Sequence, residues 1–199
     1  MSRMILRFSA LGFLVLCGFS QSAPWHAIDV SGSVLPLLFR MTRAGDGKQV
    51  TQEDYRGRIV LLYFGYTNCP DYCPATMANV ADILRRLGPL ARRVRVLFIA
   101  VDPNRDTLPV LAQYVNYFGS QIDGLRGTPE ELEALAGRFH AVYSVAAATK
   151  GHPYEVTHSS VIYVFDGTGT ARLRMTSLGT SKPDIDGMTA DLRRLIEEH

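Results

Sequence analysis

Two cysteines, Cys69 and Cys73, stand four residues apart in Tyr63-Phe64-Gly65-Tyr66-Thr67-Asn68-Cys69-Pro70-Asp71-Tyr72-Cys73-Pro74. Thiols at this spacing can do two kinds of chemistry. Residues four apart in a helical turn have Cα atoms roughly 6 Å apart, within the span of a disulfide, so the pair can cycle between dithiol and disulfide. The same separation lets two thiolates grip one soft metal ion. Redox pairs usually have two intervening residues, and the third one here leaves more room for a shared ligand, which tilts the spacing toward a metal. Two thiolates leave Cu(I) one ligand short. An imidazole would complete a trigonal site that also tolerates Cu(II), whereas zinc would recruit a fourth ligand. The histidines are His26, His140, His152, His158 and His199. His158, heading an apolar segment, and His152, in the turn before it, are the two candidates, and local pattern does not choose between them.

These residues need elements to hold them. Residues 59–64, Ile-Val-Leu-Leu-Tyr-Phe, form a continuous apolar run typical of a strand buried on both faces, and it leads into the cysteine loop. Each cysteine precedes a proline, which disfavours helical backbone, so both are expected in a loop with Pro74 opening the helix that follows. Met77, Val80, Ala81, Leu84 and Leu87 then recur at helical spacing until Gly88 and Pro89 stop it. The positive end of that helix would face the thiols and favour thiolate. Residues 94–101 read as a second buried strand, ending at Asp102, and Asp106 is placed to cap a helix running to about residue 118. Asp102 and Asp106 read as turn, cap and ion-pair partners of Arg105 rather than ligands. Tyr66 and Tyr72 are candidates for an aromatic patch facing a partner.

Around this centre, residues 35–41 and 48–50 flank the turn Ala44-Gly45-Asp46-Gly47 as a hairpin, and Thr51 opens a capped turn. Residues 123–126 suit a short strand, Thr128 with Glu131 forms a capping box for another helix, and 142–147 reads as extended. Residues 159–165 form a strand that His158 begins, a hairpin turns at 166–169 into 170–176, and a helix spans about 183–198. The order predicts an α/β, thioredoxin-like fold with a mixed sheet flanked by helices and an N-terminal hairpin extension. Functional groups in such sheets gather at the C-terminal ends of parallel strands, which puts Cys69, Cys73 and Asp102 at one edge.

Residues 1–23 have the layout of an export leader, with Arg3 and Arg7 ahead of an apolar run at 8–19 and then small and polar residues. That run is short for a membrane span, so it reads as a signal peptide or signal anchor, with lipidation at Cys17 a weaker alternative. Residues 24–199 form one domain. The chain's net charge of +2 lies in the leader, leaving 19 basic and 19 acidic residues, which gives no support to nucleic-acid binding. Export allows a disulfide, but a domain of this size does not need one, and so short a loop constrains the unfolded chain little.

The cysteine segment, then Val101-Asp102-Pro103-Asn104-Arg105-Asp106-Thr107, then His158-Ser159, together resemble the Sco/SenC family of copper-binding assembly factors for cytochrome c oxidase. The resemblance runs from about residue 35 to the final helix. It implies a thioredoxin-like fold, one copper held by Cys69, Cys73 and His158, and delivery or thiol chemistry at the dinuclear copper centre of an oxidase subunit. It thereby favours His158 over His152. The implied partners are that copper-accepting subunit and an upstream copper donor. The leader, for its part, points to the cell envelope on its periplasmic side, with the protein soluble or tethered to the inner membrane. The family often has an acidic residue before this histidine, where this chain has Thr157. The competing reading is a thiol-disulfide oxidoreductase in which Cys69 and Cys73 are the catalytic pair and keep the subunit's copper-ligand cysteines reduced. A peroxidase on the same fold is more distant, since Tyr66 stands where such enzymes place a threonine.

Overall fold

The computed structural model describes residues 23–70 and 72–198; residues 1–22 of the leader, Cys17 among them, and Asp71 and His199 lie outside them. In chain order the strands are β1 Ile28–Asp29, β2 Arg40–Arg43, β3 Gln49–Thr51, β4 Ile59–Gly65, β5 Val94–Ala100, β6 Ile122–Arg126, β7 Tyr143–Ala146, β8 Glu155–His158, β9 Ile162–Phe165 and β10 Ala171–Met175. The α-helices are α1 Tyr72–Leu87, α2 Leu108–Asn116, α3 Pro129–Arg138 and α4 Ile185–Glu197.

The two apolar runs make the centre. β4 is buried at every position and pairs in parallel with β5, from Ile59 opposite Val94 to Gly65 opposite Ala100. β6 continues the parallel run beyond β5, while β9 lies antiparallel on the other side of β4. The full order is β1-β10-β9-β4-β5-β6-β2-β3, an eight-stranded mixed sheet. The expected N-terminal hairpin is β2 and β3, added beside β6, although its first strand begins at Arg40 rather than residue 35. α1 buries Met77, Val80, Ile83, Leu84 and Leu87 and packs beside α4. Each such side chain, taken from water, stabilises the fold by about 1.5–3 kcal/mol.

Capping chemistry places the short elements. Thr51 and Asp54 form a reciprocal box around a 3-10 turn, and Thr128 with Glu131 does the same for α3. β7 and β8 stand apart as a two-stranded antiparallel ribbon, with Tyr143 opposite His158. No helix among the described residues is long and apolar enough to cross a membrane.

The N-terminal segment is strapped to α4. The buried Asp191 carboxylate accepts the amides of His26, at 3.1 Å, and Ala27, at 2.7 Å, and it contacts the His26 Nδ1 at 3.0 Å. Arg194 lies over the Trp25 ring with its guanidinium carbon 3.8 Å from the centroid.

Candidate metal centre

The end of β4 delivers the cysteine loop. Gly65 closes the strand because a Cβ there would lie 2.8 Å from two ring carbons of Phe98, itself fully buried. Two residues on, Thr67 donates to the Asp106 carboxylate, its hydroxyl to Oδ1 at 2.6 Å and its amide at 3.2 Å. Asp106 therefore faces away from the role expected of it. Thr107 occupies the N-cap of α2 without a side-chain cap bond, and the wholly buried Asp106 pins the loop instead. Burial raises its carboxyl pKa, opposed by the Thr67 donors.

Cys73 occupies the second position of α1, so the expectation that both cysteines lie outside regular helix holds only for Cys69. The restriction before proline is a steric preference rather than a prohibition, and Cys73 takes helical backbone in spite of it. Pro74 loses nothing by lacking an N–H, and the Cys73 amide donates to Cys69 Sγ at 3.4 Å. Cys69 is partly exposed and Cys73 is buried, and the two are not joined in a disulfide. Burial pushes the Cys73 thiol up to about 12, with the Cys69 charge adding to it. The thiolate expected from the helix end is thus disfavoured at Cys73, where desolvation outweighs the partial charge of a helix terminus.

His158 arrives by a longer route. Because β9 runs antiparallel to β4, with Ile162 opposite Tyr63, residues just before β9 return to the edge that β4 has just reached. His158 ends β8 in the ribbon, rather than starting the strand through Phe165, which begins at Ile162. Its Nε2 lies 3.0 Å from Cys73 Sγ and 4.0 Å from Cys69 Sγ, and the three potential ligand atoms all fall within 4.8 Å of one another. The Ser159 carbonyl, 3.0 Å from Nδ1, can only accept, so Nδ1 carries the proton and the Nε2 lone pair faces the sulfurs. Burial lowers the His158 pKa and keeps the ring neutral, the form that binds metals. Tyr63 and Tyr66 meet it edge-on, at centroid distances of 5.9 and 5.6 Å.

The other histidines go elsewhere. His152 is exposed in the ribbon turn, bonded backbone to backbone with Thr149, and stands outside this group. His140 is exposed, and His26 belongs to the strap on α4. Thr157, one residue before His158, points to the opposite face of β8, where its hydroxyl meets that of Ser144 at 2.8 Å. Position 157 therefore does not face the imidazole in this chain. Nor do the two tyrosines form a joint patch, since Tyr66 is buried against His158 and only Tyr72 is exposed.

Asp102 holds a partner that no local pattern announces. Its buried carboxylate pairs with Arg105 Nε through Oδ2 and accepts the Tyr154 hydroxyl at Oδ1, at 2.6 Å. With Asp102 and Asp106 both engaged, the group that remains is two sulfurs and one imidazole nitrogen without a carboxylate. That set suits a soft ion of low coordination number far better than magnesium or calcium.

The chain matches the SCO1/SenC family model over residues 38–197. The mitochondrial protein SCO2 homolog of Bos taurus is 37% identical over 125 residues, covering 62% of this chain and 47% of the relative. The mitochondrial protein SCO1 homolog 1 of Arabidopsis thaliana is 32% identical over 155 residues, covering 77% and 45%. The chain thus spans about half the length of these curated relatives. Among solved structures, Arabidopsis thaliana ScoI with copper bound matches at TM-score 0.72 and 30% identity, over 83% of this chain and 100% of that one. Bradyrhizobium japonicum ScoI with copper bound matches at TM-score 0.71 and 30% identity, over 81% and 99%. The family model spans nearly all of the described domain, and the mixed sheet that brings Cys69, Cys73 and His158 to one edge is matched by copper-bound ScoI structures, so the chain belongs to the SCO1/SenC family.

Proposed function

We propose that this chain is a metallochaperone of the cell envelope that binds one copper ion through Cys69, Cys73 and His158. The observation that carries the reading is the convergence of two sulfurs and a neutral imidazole nitrogen within 4.8 Å, from residues 85 or more positions apart for the histidine and either cysteine. Copper-bound relatives of the same fold support it. Copper is the cargo, and delivery to the dinuclear centre of cytochrome c oxidase would proceed by ligand exchange. Each incoming cysteine or histidine of the accepting subunit replaces one ligand here, with no electron transferred. Both thiols must be reduced and shed their protons to bind, so conversion to a disulfide abolishes the site and acid weakens it. An upstream donor would load the protein, and the leader at 1–23 would carry it to the periplasmic side and tether it there if retained.

Titration of the reduced protein with Cu(I) tests this reading. Expected are a stoichiometry near one, its loss in the Cys69→Ala, Cys73→Ala double variant, and at least tenfold weaker binding in His158→Ala. Full-strength binding by the double variant would sink the site, and unchanged affinity in His158→Ala would remove the third ligand.

The contrast between a partly exposed Cys69 and a buried Cys73 favours one second reading, a thiol-disulfide oxidoreductase. Cys69 thiolate would attack a disulfide of the apo-subunit and release one of its thiols. Cys73 would then displace the other, leaving the subunit reduced and this chain oxidised. That chemistry does not use His158. Oxidase assembly that survives His158→Ala would favour it over copper delivery.

A further inference from the structure

His158 is carried by a ribbon that stands outside the main sheet, so sheet hydrogen bonds do not hold it against the cysteines. Side chains from the main sheet's edge do. Tyr66, just past the end of β4, donates its hydroxyl to the Val156 carbonyl at 3.2 Å. Asp102, two residues past β5, accepts the Tyr154 hydroxyl at 2.6 Å. Arg105 pairs with Asp102 and lies over both rings, its guanidinium carbon 4.1 Å from the Tyr154 centroid and 5.8 Å from that of Tyr66. Asp102 is wholly buried, and a buried carboxylate is tolerated only where its oxygens are engaged. Here one oxygen faces Arg105 and the other faces the ribbon.

We infer that Asp102 is a positioning residue for His158 and acts through Tyr154; the inference rests on the copper reading above. Tyr154 and His158 are four residues apart on one extended stretch, about 13 Å end to end, so Tyr154 anchors one end of a short lever whose other end carries the imidazole. The cysteines do not share that lever, since α1 and the Thr67–Asp106 contact hold them. Releasing Tyr154 frees the imidazole to swing away while both sulfurs stay in place. A three-ligand site then becomes a two-ligand site, the state from which an incoming ligand takes the copper. The latch of Asp102, Arg105 and Tyr154 thereby sets how readily copper leaves.

Tyr154→Phe keeps the ring under Arg105 and removes only the hydroxyl. The reduced full chain is loaded with one equivalent of Cu(I) and mixed with a Cu(I)-specific chromophoric chelator in a stopped-flow instrument, and X-ray absorption reports the ligands. Expected for Tyr154→Phe are unchanged stoichiometry, two sulfur ligands and one nitrogen ligand, and release roughly 10- to 100-fold faster, as loss of a hydrogen bond to a charged group allows. In a His158→Ala background, Tyr154→Phe should change the release rate by less than twofold, because its action runs through the imidazole. Ser144→Ala, which cuts a hydrogen bond on the outer face of the ribbon, should release copper at the wild-type rate. Wild-type release by Tyr154→Phe, or an equal acceleration in the His158→Ala background, overturns the latch. If His158→Ala alone leaves release unchanged, the ligand set itself is wrong, which separates failure of the copper reading from failure of the latch.

Discussion

Gly65→Ala tests how the strand that carries the cysteine loop is fitted to its neighbours. A Cβ at position 65 would sit 2.8 Å from Cε2 and Cζ of Phe98 and 3.1 Å from Cε1 of Tyr63. Both rings are fully buried, and Phe98 is also packed against Tyr114, with centroids 5.3 Å apart. Neither ring can leave toward solvent, so the strand or the rings must shift by several tenths of an ångström. Overpacking of this kind costs about 1–3 kcal/mol. In a domain of this size each kcal/mol lowers Tm by roughly 2–4 °C, so a fall of about 2–12 °C is expected. The strain should also reach the centre, because the Tyr63 ring meets His158 edge-on at 5.9 Å. Urea unfolding of the reduced protein measures the first effect and Cu(I) titration the second. Phe98→Leu provides the control, since it removes the ring atoms that the new methyl would strike. The double variant should be more stable than the sum of the two single costs predicts. An unchanged urea midpoint in Gly65→Ala, or strictly additive costs in the double variant, would refute the packing argument.

Two further predictions concern the N-terminal strap. Asp191→Ala removes the acceptor of two backbone amides, one of them the buried Ala27 amide, and should cost about 3 kcal/mol, read as a lowered urea midpoint with a red-shifted emission of Trp25, the lone tryptophan. An unshifted emission would mean that the strap is held by other contacts. The Asp191 hydrogen bond raises the His26 pKa, so the native state binds the proton more tightly than the unfolded chain does. The contribution of this pair is therefore complete below the unfolded value near 6.5 and fades as pH rises through the raised native value. Stability measured from pH 5 to 9 should show that decline, and His26→Gln should abolish it; a persisting decline would assign it to another group.

Much of the framework was legible locally. The continuous apolar runs that became β4 and β5, the helical spacing from Met77 to Leu87 and the capping box of Thr128 with Glu131 act over a handful of residues, where pattern and physics coincide. Local reasoning failed where tertiary contacts compete with it. Asp106 sits where a cap is expected, yet the unpaired amide and hydroxyl of Thr67 across the sheet edge claim its carboxylate. Cys73 adopts helical backbone despite the proline after it, because its amide finds the Cys69 sulfur.

The sequence by itself determined the chemistry on offer, two thiols at a spacing that serves one metal or one disulfide, and the parallel strands that bring them to an edge. From the residues alone it left His152 and His158 level, since both precede the same strand. The family resemblance favoured His158, and the tertiary structure supplied the physical reason. The antiparallel register of β9 on β4 returns the chain beside the cysteines at His158, while His152 stays exposed in the turn of the ribbon. Burial, too, is a property of the assembled fold. It reverses the protonation that the helix terminus alone would give Cys73, and it makes the carboxylate of Asp102 available to Tyr154 rather than to water. The physical reason is range: propensity and capping act within a turn or two, whereas register and desolvation depend on residues tens of positions away.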